Sequence, residues 1–327
     1  DDYSTLQGAD LVIEAVFEDE DLKSKVTILA EAHISESTIF ATNTSTLPIT
    51  ELSKASKNRK NFIGIHFFSP VNKMNLVEII RGKETKDIAV AKALDFVKQI
   101  NKTPIVVNDA RFFYANRCII PYLNEGVRMA GEGISLALIE NAAKQLGMPV
   151  GPLQLIDETS IDLANQIAKA TKIALGTKYI EDASDEILAF MVNEQRLGRK
   201  SNAGFYNYNE KGKRIDLWNG LSNNWPIRDQ QPNVEEVKMR LALIQALEAV
   251  RAFEEGVLTD IREGDVGAVL GWGCLPWAGG PFGWLDLLGS QKVLDTCNQF
   301  FADHGERFQA PKILETMAKS NKQFYKN

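Results

Sequence analysis

Phe62-Ile63-Gly64-Ile65-His66-Phe67, residues 62 to 67, is an apolar run with a titratable side chain at its carboxyl end, one of only three histidines in 327 residues. A run of this length and composition reads as a strand buried on both faces. The same texture surrounds it. Leu11 to Val16 and Thr38 to Thr42 read as earlier strands, separated by a charged amphipathic helix predicted over 21–34. Runs at Leu76 to Ile80 and Pro104 to Val107 extend the series. Strands alternating with helices predict a parallel sheet covered on both faces. After Asn108-Asp109 the pattern changes, and from Asn116 onward a helical period dominates.

Composition narrows the function. Hydrophobic residues make up 44% and charged residues 24%, an ordinary globular balance. With 37 basic and 43 acidic residues the net charge is −6, and no basic stripe offers itself to nucleic acid. The apolar runs are too short to span a bilayer, so membrane association is not indicated. Cys118, Cys274 and Cys297 are odd in number and show no Cys-x-x-Cys spacing. That excludes a disulfide framework or zinc site as the first expectation and fits a reducing cytoplasm.

The helical half contains a repeat. Arg117, Glu125, Arg128 and Glu132-Gly133 recur at constant spacing as Arg240, Glu248, Arg251 and Glu255-Gly256. Further on, Gly151-Pro152 and Asp157 recur as Gly280-Pro281 and Asp286. A duplicated helical domain is expected, one copy packed on the sheet and the other on its twin. The stretch from Asn202 to Pro232, rich in Gly, Asn and Pro, reads as a linker.

In open α/β sheets ligands sit outside the carboxyl ends of the strands. Three strands end there in polar groups: Phe17-Glu18-Asp19, Asn43-Thr44-Ser45-Thr46, and His66 with Ser69. Glu78 follows His66 by twelve residues, inside the apolar run Leu76-Val77-Glu78-Ile79-Ile80. A buried carboxylate needs a partner, and a neighbouring imidazole N–H would satisfy it while fixing the tautomer. That is a general-base pair in outline. The plainer readings are a structural histidine, an edge carboxylate facing water, Ser45 or Thr46 capping the helix that Pro48 opens, Asn116 as a cap, and Glu18 and Lys23 on a solvated loop and helix.

Taken together, Asn43-Thr44-Ser45, His66-Phe67-Phe68-Ser69-Pro70, Val77-Glu78 and Asn116-Arg117 resemble the 3-hydroxyacyl-CoA dehydrogenases. So do Met148-Pro149-Val150-Gly151-Pro152 and the stretch from Arg196-Leu197-Gly198 to Gly204-Phe205-Tyr206. The duplicated region is similar to the α-subunit of the multifunctional fatty-acid oxidation complex. The resemblance implies an α/β fold: a Rossmann-type sheet domain lacking its first strands, then two repeated all-α domains. The expected domains are 1–108 (the later part of the NAD-binding domain), 109–207 (first helical domain), 208–232 (linker) and 233–327 (second helical domain).

The resemblance further implies NAD-dependent oxidation of a 3-hydroxyacyl-CoA, with His66 as base, Glu78 orienting it, and Ser45 and Asn116 holding substrate oxygens. Val16, Phe17, Glu18, Lys23, Ser45 and Ser69 fall on cofactor positions. An enoyl-CoA hydratase/isomerase region upstream, a thiolase β-subunit as partner and a homo-oligomer through the helical domains are the companions it implies. Two other readings stand beside it: a scaffold segment docking a thiolase, and a dehydrogenase of short hydroxy acids.

No G-x-G-x-x-G occurs in the sequence, and Gly271-Trp272-Gly273 ends in proline within the helical half. Truncation before Asp1 is the expected reason, and weak NAD affinity and inactivity of these residues alone are the expected consequences. Ser69 stands where the family has asparagine, Arg111-Phe112-Phe113 where it has Pro-Gly-Phe, and Ser160 where it has glycine. Loss of the glycine at Phe112 predicts a loop without positive φ. The second copy carries Met239 at the place of Asn116, which makes it a packing surface.

Overall fold

The computed structural model describes residues 2–325. Its first part alternates strands and helices: β1 (Leu11–Glu14), α1 (Glu20–Glu31), β2 (Ile39–Thr42), a short α2 (Ile49–Leu52), β3 (Phe62–Phe67), β4 (Leu76–Arg81), α3 (Asp87–Gln99) and β5 (Thr103–Asn108). Asp19 starts α1, its carboxylate accepting the Leu22 amide at 2.7 Å, and Glu20 and Asp21 favour the positive end of the helix dipole. The strands form one sheet in the order β1-β2-β3-β4-β5. Ile39, Ala41, Ile63, Ile65, Val77 and Ile79 build its core with Ala89, Ala93 and Val97 of α3.

The α/β architecture is the expected one, with one difference in strand direction. β1, β2 and β3 run parallel, as do β4 and β5, but β4 runs antiparallel to β3. The connection between them, residues 68–75, has no helix and is too short for the crossover a parallel partner requires. Capping also differs from expectation. α2 is capped neither by Ser45 nor by Thr46: its first amides, Ile49 and Thr50, donate to the carboxylate of Asp109 at 2.8 and 2.7 Å.

The remainder is mostly helical: α4 (Ala115–Gly131), α5 (Leu136–Gln145), α6 (Pro152–Thr159), α7 (Ile161–Leu175), α8 (Ala183–Asn193), strands β6 (Tyr206–Tyr208) and β7 (Arg214–Leu217), then α9 (Val234–Glu254), α10 (Ile261–Trp272), α11 (Pro281–Leu288), α12 (Ser290–His304) and α13 (Lys312–Ser320). Among the described residues no helix is long and apolar enough to cross a membrane. The stretch expected to be a linker is structured, because Tyr206–Tyr208 and Arg214–Leu217 pair as an antiparallel hairpin.

Two compact units result, divided within α4 and within α9. One is Ile119–Gln245; the other joins the chain up to Cys118 with the chain from Ala246 onward. The second helical copy therefore packs directly on the sheet, which the sequence repeat alone did not assign to either copy. α10 lies against β4 and β5, and glycines on one of its faces allow the close approach. A Cβ on Gly267 would lie 2.7 Å from Ile105, and one on Gly271 2.7 Å from Leu76.

The repeated charges pair reciprocally, each set inside its own unit. In the sheet unit Arg117 bonds Glu248 at 3.3 Å and Glu255 at 2.6 Å. In the other unit the fully buried Arg240 bonds Glu125 at 2.9 Å and Glu132 at 2.6 Å. A second duplicated device lies under the Gly-Pro turns. Glu140 accepts the Leu153 amide and the Tyr206 hydroxyl, and Asp157 accepts the amides of Phe205 and Tyr206. In the other copy Asp265 accepts the Phe282 amide and the Tyr325 hydroxyl, and Asp286 accepts the amides of Phe324 and Tyr325. The duplication thus runs through Phe324-Tyr325, where sequence spacing gave no sign of it.

Burial raises the Asp157 carboxyl to about 6, against hydrogen bonds from Tyr206, Phe205 and Tyr208 that act to lower it. Near it Ser160, at φ 98° and ψ 120°, occupies a conformation suited to glycine. Such a residue costs roughly 1–3 kcal/mol. Ser160→Gly is expected to raise stability by about 1 kcal/mol, after allowance for the entropy glycine adds to the unfolded chain. The urea unfolding midpoint reads this, and a lower midpoint would refute it.

Candidate active site

The site is built around a charge placed in the middle of a strand. Glu78 on β4 is completely buried and lies directly across from His66 on β3 in the antiparallel register. Directly opposed residues point to the same face. Glu78 Oε2 stands 2.8 Å from His66 Nδ1. Its other oxygen accepts the backbone amides of Ala115 at 2.9 Å and Tyr114 at 3.2 Å. Three donors therefore satisfy the carboxylate, and two of them are the otherwise unpaired amides that open α4. The cap of α4 is Glu78, not Asn116.

An ionised carboxylate can only accept, so the proton between the pair belongs to Nδ1 of His66. In the neutral ring Nε2 then carries the lone pair, and Nδ1 makes the one hydrogen bond of the His66 side chain among the described residues. His66 is 4% exposed. Phe68 and Phe113 flank its ring, with centroids at 4.7 and 6.0 Å.

Asn116, one residue past the Ala115 amide, donates from Nδ2 to the Ser45 carbonyl at 2.8 Å. His66, Glu78, Asn116 and Ser45 are thus connected through a short chain of contacts. Asn43 accepts the Phe67 amide at 2.8 Å and ties the end of β3 to the same loop as Ser45. Asn43 has no role in the sequence expectations; its signal is a side-chain acceptor just past the neighbouring parallel strand.

Glu18 anchors the loop from the other side. Its Oε1 accepts Thr44 Oγ1 at 2.6 Å, the Ser45 amide at 2.9 Å, and Thr46 through both its amide and its hydroxyl. Burial would raise the Glu18 carboxyl, but hydrogen bonds from Thr44 and Thr46 outweigh it and hold the group below the usual carboxylate range. Lys23 departs from the solvated reading. It is 1% exposed and bonds Glu14 at 3.1 Å and the Val16 carbonyl at 3.3 Å, with Glu18 3.7 Å away. Glu14 also accepts the Thr42 hydroxyl. A carboxylate inside the apolar run Leu11 to Val16 was the same signal that exposed Glu78, and its partner lay nine residues on.

Val16 keeps its amide on Glu14 at 3.1 Å, whereas the Phe17 ring is 87% exposed and Ser69 is exposed beyond β3. Phe112 and Phe113 contradict the loop without positive φ, standing at 67° and 52°. Bulky residues rarely adopt this conformation. Here it aims the next two amides, Tyr114 and Ala115, at Glu78.

Replacing Glu78 by Gln puts an amide where Nδ1 requires an acceptor. Glu78→Gln is expected to move the neutral-ring proton of His66 to Nε2, read from its two ring ¹⁵N shifts. An unchanged Nδ1–H tautomer would show that Glu78 does not set it.

Residues 1–110 match the NAD binding domain of 3-hydroxyacyl-CoA dehydrogenase, and residues 113–208 match its C-terminal domain. The fatty acid oxidation complex subunit alpha of Shewanella frigidimarina is 38% identical over 330 residues, taking in 99% of this chain and 46% of that protein. The chain spans about half the length of the curated relatives it matches. The solved (S)-3-hydroxybutyryl-CoA dehydrogenase of Ralstonia eutropha is 35% identical, covering 64% of this chain and 74% of that one with a TM-score of 0.59. The 3-hydroxybutyryl-CoA dehydrogenase of Escherichia coli shares the fold, with a TM-score of 0.82 over 98% of this chain and 83% of that one, at 22% identity. By these matches the chain belongs to the 3-hydroxyacyl-CoA dehydrogenase family, and its sheet domain is that family's NAD-binding domain.

Proposed function

We propose that the sheet unit carries the proton-transfer machinery for oxidation of a (3S)-3-hydroxyacyl-CoA to the 3-oxoacyl-CoA. The observation that supports this most is the 2.8 Å bond between His66 Nδ1 and Glu78, which leaves Nε2 as an acceptor. Nε2 takes the proton of the substrate's 3-hydroxyl, and Glu78 balances the imidazolium charge that develops. Asn116 and Ser45 hold substrate oxygens, with Ser45 also bordering the cofactor. Phe68 and Phe113 keep water from the ring. NAD, when bound, supplies the acceptor for the hydride that leaves C3.

The residues present fit one side of that cofactor. Val16, Phe17 and Glu18 lie just beyond the carboxyl end of β1 and Ser69 just beyond β3, where the nicotinamide side belongs, and the buried Lys23 of α1 supports them by bonding Glu14 and the Val16 carbonyl. No G-x-G-x-x-G in these 327 residues supplies the pyrophosphate side. We therefore expect these residues alone to bind NAD weakly and to be inactive. Micromolar binding of NAD by calorimetry would overturn that.

The relatives point to fatty-acid oxidation as the setting. We propose an enoyl-CoA hydratase activity and a thiolase subunit as the companions of this dehydrogenase, in the cytoplasm. In protein that binds NAD, His66→Gln is expected to lower kcat for NADH production by roughly 10²–10⁴ with little change in KM. Undiminished turnover would leave the chain as a scaffold, and faster turnover of a free hydroxy acid than of its CoA thioester would reassign the substrate.

A further inference from the structure

We infer that the second helical copy is a positioning element of the active site, acting through Tyr114 and the glycine face of α10 on the His66–Glu78 pair. The inference deepens the dehydrogenase reading and rests on it for its catalytic meaning, although the geometry it concerns can be measured without catalysis. All the residues involved lie in the sheet unit.

Tyr114 is fully buried and bound at both ends. Its backbone amide donates to Glu78 Oε1 at 3.2 Å, and its hydroxyl donates to the Gly264 carbonyl of α10 at 3.0 Å. Its ring lies against Trp272, at the end of the same helix, with centroids 5.8 Å apart. The residues on either side of Tyr114 belong to the pair's immediate surroundings. Phe113 packs its ring near His66, and Ala115 supplies the second amide to Glu78. A shift of Tyr114 therefore moves every group that α4 contributes to the pair.

The backbone there does not hold itself in place. Phe112 and Phe113 both stand at positive φ, a conformation aromatic residues leave readily unless the surroundings enforce it. α10 provides that enforcement. A Cβ on Gly264 would come within 3.2 Å of the Tyr114 hydroxyl, and one on Gly267 within 3.5 Å of its ring. Further along the same helix, a Cβ on Gly271 would lie 2.7 Å from Leu76 and 4.0 Å from Phe68, the ring nearer the imidazole. One helix face thus lies against Phe68, a ring beside the base, and against Tyr114, the residue that follows Phe113, the other ring beside it.

The attachment is continued along β5, the strand that pairs with β4. Glu263 accepts the Val106 amide at 3.0 Å, and Asn108 bonds Val257 and Gly256, each at 2.8 Å. Ile105, next to Val106, is the register partner of Glu78. The copy that carries Met239 in place of Asn116 has no equivalent of the substrate contact, yet it supplies the wall against which the other copy's opening turn is set.

The test reads the His66 Nδ1–H proton by NMR; His33 and His304 are the other two histidines. Tyr114→Phe removes one hydroxyl and leaves the ring. It is expected to speed exchange of the His66 Nδ1–H with solvent about tenfold, the size of losing one buried hydrogen bond. Tyr122→Phe is the matched control, since its hydroxyl donates to the Val150 carbonyl at 3.0 Å in the other unit; it is expected to leave the exchange rate unchanged. Gly271→Ala tests the same wall from the Phe68 side, and should shift the His66 ring resonances whether or not Tyr114→Phe folds. Exchange and ring shifts identical to the unaltered chain in Tyr114→Phe and Gly271→Ala, or an equal acceleration in Tyr122→Phe, would overturn the inference. If the proton responds as stated but His66→Gln leaves NADH production intact, the positioning stands and the dehydrogenase reading falls.

Discussion

A carboxylate with no access to water has to be fully paired, and Glu78 meets that requirement in a way that organises the sheet unit. Its three partners come from two places in the chain: the imidazole across the strand pair and two amides at the start of α4. Register between β3 and β4 follows, because a slip of one residue would turn Glu78 to the opposite face from His66. The entry of α4 follows as well, since the amides of Tyr114 and Ala115 are both held on Glu78. The same pairing fixes which imidazole nitrogen is left free, so one electrostatic demand shapes a strand pair, a helix start and a tautomer.

The duplication follows a different physical logic. What the two helical copies share is structural: an arginine that reaches two glutamates of the other copy, and carboxylates that hold a Gly-Pro turn and a Phe-Tyr segment by their amides. These are buried polar devices, and each is destabilising if left half made. What the copies do not share is the residue that faces the site. Asn116 bonds the Ser45 carbonyl in one, and Met239 occupies the matching position in the other. Repetition preserved the frame, and the contact to the Ser45 loop belongs to one copy.

Charged residues within apolar runs were the most informative letters in the chain. Glu78 pointed to His66, and Glu14 could have pointed to Lys23 by the same argument. The plainer reading of Ser45 or Thr46 and of Asn116 as caps fails, since the amides they would serve are taken by Asp109 and Glu78 from far away in sequence. Phe112 and Phe113 misled for a related reason. Local preference forbids positive φ for an aromatic residue, and only packing from elsewhere overrides it.

Alternating strands and helices, the helical repeat, and the pairing of a strand-end histidine with a buried acid could all be read from local pattern, because periodicity and the penalty for burying charge act over a few residues. The tertiary structure alone decided that β4 turns back against β3, that α10 of the second copy rests on the sheet, and that Tyr114 joins that helix to Glu78. Those outcomes depend on which surfaces meet, and contacts between residues 150 positions apart leave no local pattern to read.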